Sequence, residues 1–424
     1  MAAPTPDPAA LPLIRQPYLL SVLIPFYRDK QGAVWLGRLW AHDLRAHLDY
    51  IADLTVLAPE VQITVPGPDM VRVPVPAGRR LRFRPFGRAE GGALRAVLAL
   101  PGLVLAAWRA VGKAGIVHSG VAGWPIPPGL VINPVAVLRR RPLVMVTESA
   151  FWRLPDRDHA SRKARLRARL TEGFARWSMR RARLGVYTSE AYRDSLPVGP
   201  GGEALVLPAS WISDDMILIE DVARAAWAGK GAPRFLMASR LVAEKGIGLF
   251  LAALERLEAQ GIALAVDVIG EGPMREGLAA FAAQARHVRL GLVQPVEYGA
   301  PFMALLGQYH AVVVPTTGDE QPRILFDAFS QAVPVVATGT TGNLEVVQDG
   351  VNGRITAPGS AEDLARVLTE VAAGSGMAAQ MGLHALETAR GYTHAIMHRK
   401  RAEALARIFG AGPADPAADH ERLS

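Results

Sequence analysis

Two doubly wound α/β domains are the fold class this sequence predicts, and three observations predict it. The chain has 424 residues, more than one hydrophobic core usually serves. Short apolar, β-branched runs alternate with helical stretches, the pattern of parallel strands covered on both faces. The runs also fall into two sets, parted by a Pro/Gly-rich interval near 197–234.

The first set comprises strands expected at 19–24, 51–57, 116–118, 143–147, 184–188 and 204–207. The second comprises 235–238, 263–269, 288–290, 311–315 and 334–337. The expected organisation is a disordered tail at 1–16, a Rossmann-like domain at 17–207, a second Rossmann-like domain at 208–390, a helix at 391–409 and a disordered tail at 410–424. That helix either closes the second domain or crosses back to the first.

Composition narrows the function classes. Half the residues are apolar and a fifth charged, which is ordinary globular usage. There is no cysteine, so disulfides and thiolate metal sites are excluded. The net charge is +8, which favours anionic partners. Between Asp156 and Arg183 ten basic residues face only Asp156, Asp158 and Glu172. The helical part of that stretch, with Leu166, Leu170, Phe174 and Trp177, suits docking of the arginines from 162 to 183 on an anionic membrane surface. It equally suits a solvated helix face packed on the first domain. Arg79, Arg80, Arg82, Arg84 and Arg88 would add to a basic patch. No nucleic-acid module is present, so nucleic acid is not an expected partner. The apolar runs are too short to cross a bilayer and no targeting signal stands out, which points to a cytoplasmic protein, peripheral at most on the inner face of the plasma membrane.

Candidate chemistry lies in the second half. After the strand ending near Ala238, Ser239 would cap the next segment, and Arg240 and Lys245 flank a loop leading into a helix near Gly246. Two long cations and a helix N-terminus suit a diphosphate, although the same residues also describe an ordinary solvated loop. Gly270 and Gly272, in the Gly-Glu-Gly-Pro turn, follow a strand and precede a helix, where glycine lets a ligand approach closely. Gly291-Leu292-Val293-Gln294 repeats the arrangement after another strand. Asp319 sits in a polar loop, and Asp327 sits on a helix beginning near Pro322 among Leu325, Phe326, Ala328 and Phe329. Two such carboxylates can bracket the hydroxyls of a sugar or ribose, while capping is the alternative for Asp319 and Glu320. Backbone amides from Thr340 to Asn343 could also meet a phosphate.

Taken together, these elements resemble the donor half of the retaining, nucleotide-sugar-dependent glycosyltransferases of the two-domain GT-B architecture (family 4-like, glycosyl transferases group 1). The resemblance covers about 233–371. It rests on Arg240 and Lys245, the Gly270–Pro273 turn, the acidic pair eight residues apart, the Pro-Val-Val-Ala-Thr strand and the Asp349–Gly353 segment. It implies two Rossmann-like domains facing a central cleft. It also implies a nucleoside-diphosphate sugar as donor, a carbohydrate or lipid-linked acceptor, and no metal or other cofactor. By the resemblance Arg240 and Lys245 hold the diphosphate, Asp319 contacts the transferred sugar, Asp327 holds the ribose, and amides near Gln321, Pro322, Arg323 and Ile324 face sugar or phosphate. Both motif acids are Asp where the family usually has Glu, and Glu320 stands where glycine is usual, placed to take over the sugar contact. The first domain matches faintly, with Gly32, His118 and Glu148 as acceptor-side candidates. The implied activity is sugar transfer in envelope, exopolysaccharide or glycolipid synthesis. A non-catalytic nucleotide-sugar binder, or an epimerase on the same fold, remains the alternative.

Overall fold

The structure is a computed structural model, and it describes residues 11–87, 98–121, 123, 127–154 and 161–411. The chain divides into two compact units, Pro208–Met397 and the remainder, which comprises everything up to Leu207 and from His398 onward.

Unit 1 contains strands β1 (Tyr18–Ser21), β2 (Phe26–Arg28), β3 (Val34–Gly37), β4 (Asp53–Ala58), β5 (Glu60–Gln62), β6 (Met70–Val71), β7 (Arg80–Pro85), β8 (Ile116–Gly120), β9 (Leu143–Thr147), β10 (Ala182–Tyr187) and β11 (Glu203–Val206). Seven of them form a parallel sheet in the order β11-β10-β9-β8-β1-β4-β7. The chain starts in the middle, winds one way, returns past β1 and winds the other way. Right-handed crossovers then put α1 (Arg38–Tyr50) on one face. They put α2 (Leu100–Lys113), α3 (Gly129–Leu138), α4 (Arg162–Met179) and α5 (Glu190–Ser195) on the other. The packing agrees: Ala107 and Val111 of α2, Ile132 and Ala136 of α3, and Ala175 and Met179 of α4 join one buried cluster.

Four short strands, β5-β2-β3-β6, make a side sheet that the sequence pattern does not predict. They are two to four residues long and half-buried, so they carry no apolar period to read. Strand β7 is likewise absent from the expected set. Its alternation is basic and partly exposed because it is an edge strand, and Arg80 and Arg82 both pair with Asp53 of β4. Those two arginines are therefore committed to the sheet edge rather than to a free basic patch, and Arg88 lies outside the described residues.

Unit 2 contains α6 (Glu220–Ala228), β12 (Arg234–Ala238), α7 (Ile247–Ala259), β13 (Leu264–Ile269), α8 (Arg275–Gln284), β14 (Val288–Val293), α9 (Ala300–Leu306), β15 (Ala311–Val314), α10 (Ile324–Ser330), β16 (Val335–Thr338), α11 (Thr341–Leu344), β17 (Gly353–Thr356), α12 (Ala361–Ala373) and α13 (Ser375–Arg390). Its six-stranded parallel sheet runs β14-β13-β12-β15-β16-β17. One layer of core packs α7 and α12 on the sheet, around Phe250, Leu254 and Leu368. The opposite layer packs α9, α10 and α13, around Phe326 and Phe329. These faces hold the unit together, since burying each such aromatic contributes about 2–3 kcal/mol.

The last helix, α14 (His394–Phe409), begins in unit 2 and from His398 onward is part of unit 1. There His398 Nδ1 pairs with the Tyr50 hydroxyl at 3.1 Å, and Arg407 pairs with Glu203. Burial holds the His398 imidazole well below its ordinary pKa, so it is neutral.

Candidate functional site

In unit 2 the strand order reverses between β12 and β15, which lie side by side with their loops diverging to opposite faces. Ligands of open parallel sheets bind outside the carboxyl ends of the strands at such a switch point. Most of the candidate residues lie there. Arg240 and Lys245 follow β12, Asp319 to Arg323 follow β15, and Thr340 to Asn343 follow β16.

The two leading loops are stitched together. Thr316 Oγ1 and the Thr317 amide both donate to the Glu244 carbonyl, at 3.0 and 3.1 Å. Gly246 (φ 74°) precedes α7, and a Cβ there would lie 1.8 Å from the Pro315 carbonyl oxygen. Only glycine permits both that backbone angle and that approach. Ser239 does not cap the helix as expected: its hydroxyl donates to the Arg240 carbonyl, and Gly246 occupies the cap position. This stitching brings Lys245 Nζ onto Glu320 Oε1 as a half-buried ion pair. Arg240 is exposed to solvent, with Glu244 3.7 Å away. Each cation thus lies beside one carboxylate, the partner that Coulomb attraction favours. Glu320, the candidate for a sugar contact, is paired with Lys245.

The Gly270–Pro273 turn is also used differently from the expectation. A Cβ on Gly270 (φ 149°) would lie 1.8 Å from the Ser239 carbonyl oxygen, and one on Gly272 would lie 2.4 Å from that of Leu241. The room these glycines make is taken by the backbone of the β12 loop, which they fix in place. The bonds from the Leu241 amide to the Glu271 carbonyl and from the Met274 amide to the Leu241 carbonyl complete the joint. Val293 ends β14 at the sheet edge.

Asp319 is exposed and accepts from the Thr341 hydroxyl at 3.2 Å. Asp327 is 6% exposed on α10. It accepts the Tyr298 hydroxyl at 2.7 Å, and among the described residues no other hydrogen bond reaches its carboxylate. A buried carboxylate with so few donors is pushed toward its neutral form. Burial raises its pKa from 3.8 to about 7, against the Tyr298 hydrogen bond and the Arg323 charge, which act to lower it. Tyr298, from the loop before α9, was not foreseen; nothing in the sequence links it to α10. Two more polar groups nearby, Thr340 Oγ1 and Asn343 Oδ1, are buried without partners among the described residues. Gln321 is spent on structure: its side chain accepts from the Ala209 amide at 3.0 Å and donates to the Pro322 carbonyl. Arg323 lies over the Trp211 ring at 5.2 Å, and Ile324 opens α10 after Pro322.

Under-satisfied buried polar groups, a half-buried lysine and a raised carboxylate at one set of strand ends mark a ligand site with a role for anions and hydroxyls. Residues 232–373 match the family model described as Glycosyl transferases group 1. That region is similar to the group 1 glycosyl transferases. The colanic acid biosynthesis glycosyltransferase WcaL named from Salmonella typhimurium is 28% identical over 138 residues, 31% of this chain and 34% of that protein. The match therefore spans about a third of the relative's length. Solved structures show the fold over nearly the whole chain. Anabaena Alr3699/HepE, in complex with UDP and glucose, has a TM-score of 0.61 at 17% identity, covering 92% of this chain and 100% of that one. Sucrose-phosphate synthase from Thermosynechococcus elongatus has a TM-score of 0.69 at 16% identity, covering 94% and 100%. Both units are Rossmann-like, and the fold is of the GT-B class.

In unit 1 the acceptor-side candidates are separated. Gly32 closes the turn between β2 and β3. Glu148 is exposed just past β9. His118 is turned into the core, where its Nδ1 pairs with the Tyr18 hydroxyl at 2.8 Å and burial holds it neutral. A ring so enclosed is a packing element of the sheet, not an acceptor contact.

One consequence of the Lys245–Glu320 pair is directly measurable. A diphosphate must displace Glu320 to reach Lys245. Glu320→Gln is expected to tighten binding of the cognate nucleoside diphosphate about five- to tenfold by calorimetry, most at low salt. Unchanged affinity would mean that the pair does not compete with the ligand.

Proposed function

We propose that the protein transfers a sugar from a nucleoside-diphosphate donor to an acceptor hydroxyl, with anomeric configuration retained. The observation that carries this is the buried, under-partnered Asp327 on the helix that follows the Lys245–Glu320 pair, at the switch point of a domain similar to the group 1 glycosyl transferases. The C–O bond between the anomeric carbon and the diphosphate breaks, a bond to the acceptor oxygen forms, and the acceptor proton leaves with the diphosphate or to solvent. Charge grows on the leaving diphosphate. Lys245, released from Glu320, and Arg240, swung from solvent, stabilise that charge more in the transition state than in the ground state. These cations do the work a metal would do, so no metal enters the reading. Asp319 takes a sugar hydroxyl and Asp327 a ribose hydroxyl, with Thr340 and Asn343 as further polar contacts.

The UDP and glucose named with HepE support a nucleotide-sugar donor, and the colanic acid role named for WcaL supports polysaccharide or glycolipid synthesis. The arginines of α4 support peripheral contact with an anionic membrane surface, from its cytoplasmic side, where a lipid-linked acceptor would be met. Among the described residues no helix is long and apolar enough to cross a membrane.

A thermal-shift screen across nucleotide sugars, followed by assay of nucleoside diphosphate release with and without acceptor, tests the proposal. A stabilising donor with acceptor-dependent release supports it. Stabilisation with neither hydrolysis nor transfer would favour a non-catalytic binder, and conversion of the donor without diphosphate release would favour an epimerase.

A further inference from the structure

Helices α2, α3 and α4 lie on one face of the unit 1 sheet, with α3 packed against both of its neighbours. Their inner sides fill the core. Their outer sides do not look like ordinary solvated helix faces. On α2, Val104, Leu105 and Trp108 are exposed. On α3, Leu138 is 71% exposed, and on α4 Leu166 and Leu170 are 59% and 66% exposed. Val104 and Trp108, like Leu166 and Leu170, are four residues apart and so stack on one side of their helix.

The charge on α2, α3 and α4 is dominated by one sign. No acidic residue occurs from Gly91 to Thr147, a stretch holding Arg109, Lys113, Arg139, Arg140 and Arg141. On α4 the acid is Glu172, and it is already tied to Arg153, Arg176 and the Trp152 indole. Arg162, Arg165, Leu166 and Arg169 line a surface depression of about 260 Å³. Aromatic rings sit under guanidinium groups: Arg139 over Trp108 at 3.9 Å and Arg181 over Trp177 at 4.7 Å. Apolar side chains ringed by arginines, with amphipathic Trp–Arg pairs among them, complement a surface that is anionic on the outside and apolar just beneath.

We propose that α2 and α3 join α4 in a single docking surface for an anionic lipid bilayer. Trp108, Leu105, Leu166 and Leu170 enter the headgroup boundary, and the arginines take lipid phosphates. This rests on the membrane reading above and deepens it. The sequence alone placed the contact on the basic and apolar residues of α4, with the arginines from 79 to 88 as an addition. The fold adds an apolar half from α2, which makes binding depend on insertion as well as on charge.

Co-sedimentation of the full chain with phosphatidylcholine vesicles, with and without phosphatidylglycerol, at low and high salt, tests this. Binding is expected only with phosphatidylglycerol and is expected to weaken with salt. Arg165→Ala with Arg169→Ala, and separately Leu105→Ser with Trp108→Ser, are each expected to lower the partition coefficient about tenfold. Leu166→Ser with Leu170→Ser provides a second apolar variant should the α2 pair lower the melting temperature. If the arginine pair weakens binding while neither apolar pair does, the composite surface is overturned and the simpler membrane reading stands. If no pair matters, or neutral vesicles bind equally well, both fall. Binding of a single-stranded oligonucleotide as tight as that of the anionic vesicles would overturn the assignment to a bilayer.

Discussion

Replacing Arg240 and Lys245 together by alanine is expected to lower sugar transfer by about 10³-fold or more, with the fold intact. A single preorganised donor to a developing anion is worth about 10²–10³ in rate, and here two formal charges are removed. The larger share is expected from Lys245. It is half-buried and held at the strand ends, where a charge interaction is screened less than on the open surface. Arg240 is 69% exposed and must first swing from its contact with Glu244, so its single replacement is expected to cost less. Stability is expected to change little, because exposed or half-exposed ion pairs contribute about 0–1 kcal/mol. Single-turnover rates of the two single variants and the double variant, beside their melting temperatures, check both statements. Undiminished transfer in the double variant would remove the diphosphate role from these residues.

The second large effect concerns Asp327, where stability and function should move in opposite directions. Its carboxyl binds a proton in the native state up to about pH 7, whereas an unhindered carboxyl releases it near 3.8. Between those values the native state holds more protons than the unfolded state, so stability falls as pH rises across the window and levels off above it. Integrated over that window, the loss is on the order of 4 kcal/mol. Asp327→Asn cannot ionise and keeps an acceptor for the Tyr298 hydroxyl. It is expected to be more stable than the native protein at pH 8 by up to that amount, and similar near pH 4. The same substitution removes the charge that a ribose hydroxyl would meet, so affinity for a nucleoside diphosphate is expected to drop about tenfold. Denaturant unfolding at the two pH values and a parallel calorimetric titration measure both effects. A variant less stable than the native protein at pH 8 would show that Asp327 serves packing and not a ligand.

Much of this arrangement could be read from the residues. The strands at 143–147, 235–238 and 264–269 are mostly apolar runs, because a parallel sheet is buried on both faces. The loops after β12 and β15 stood out because polar and charged residues come directly after such runs. What stayed hidden depends on tertiary proximity. Tyr298 and Asp327 meet across 29 residues, and no local pattern links them. The glycines at 270 and 272 looked like room for a ligand, yet the space beside a glycine is filled by whatever packs there, here Ser239 and Leu241. Strand β7 read as a basic patch because edge strands tolerate charge where central ones do not. The partners of Arg240 and Lys245 were invisible for the same reason that Tyr298 was, since which acid a long side chain finds is decided by the fold around it.

Unit 2 is proposed to bind the diphosphate of a nucleotide sugar at the carboxyl ends of β12 and β15. Calorimetric titration of UDP, GDP and ADP into the full chain and into its Arg240→Ala/Lys245→Ala variant tests it most directly. At least one nucleoside diphosphate is expected to bind the native protein, more weakly as salt rises, and the double substitution is expected to weaken that binding by at least about 100-fold. Equal binding by the native protein and the variant would contradict it, as would the absence of binding by all three.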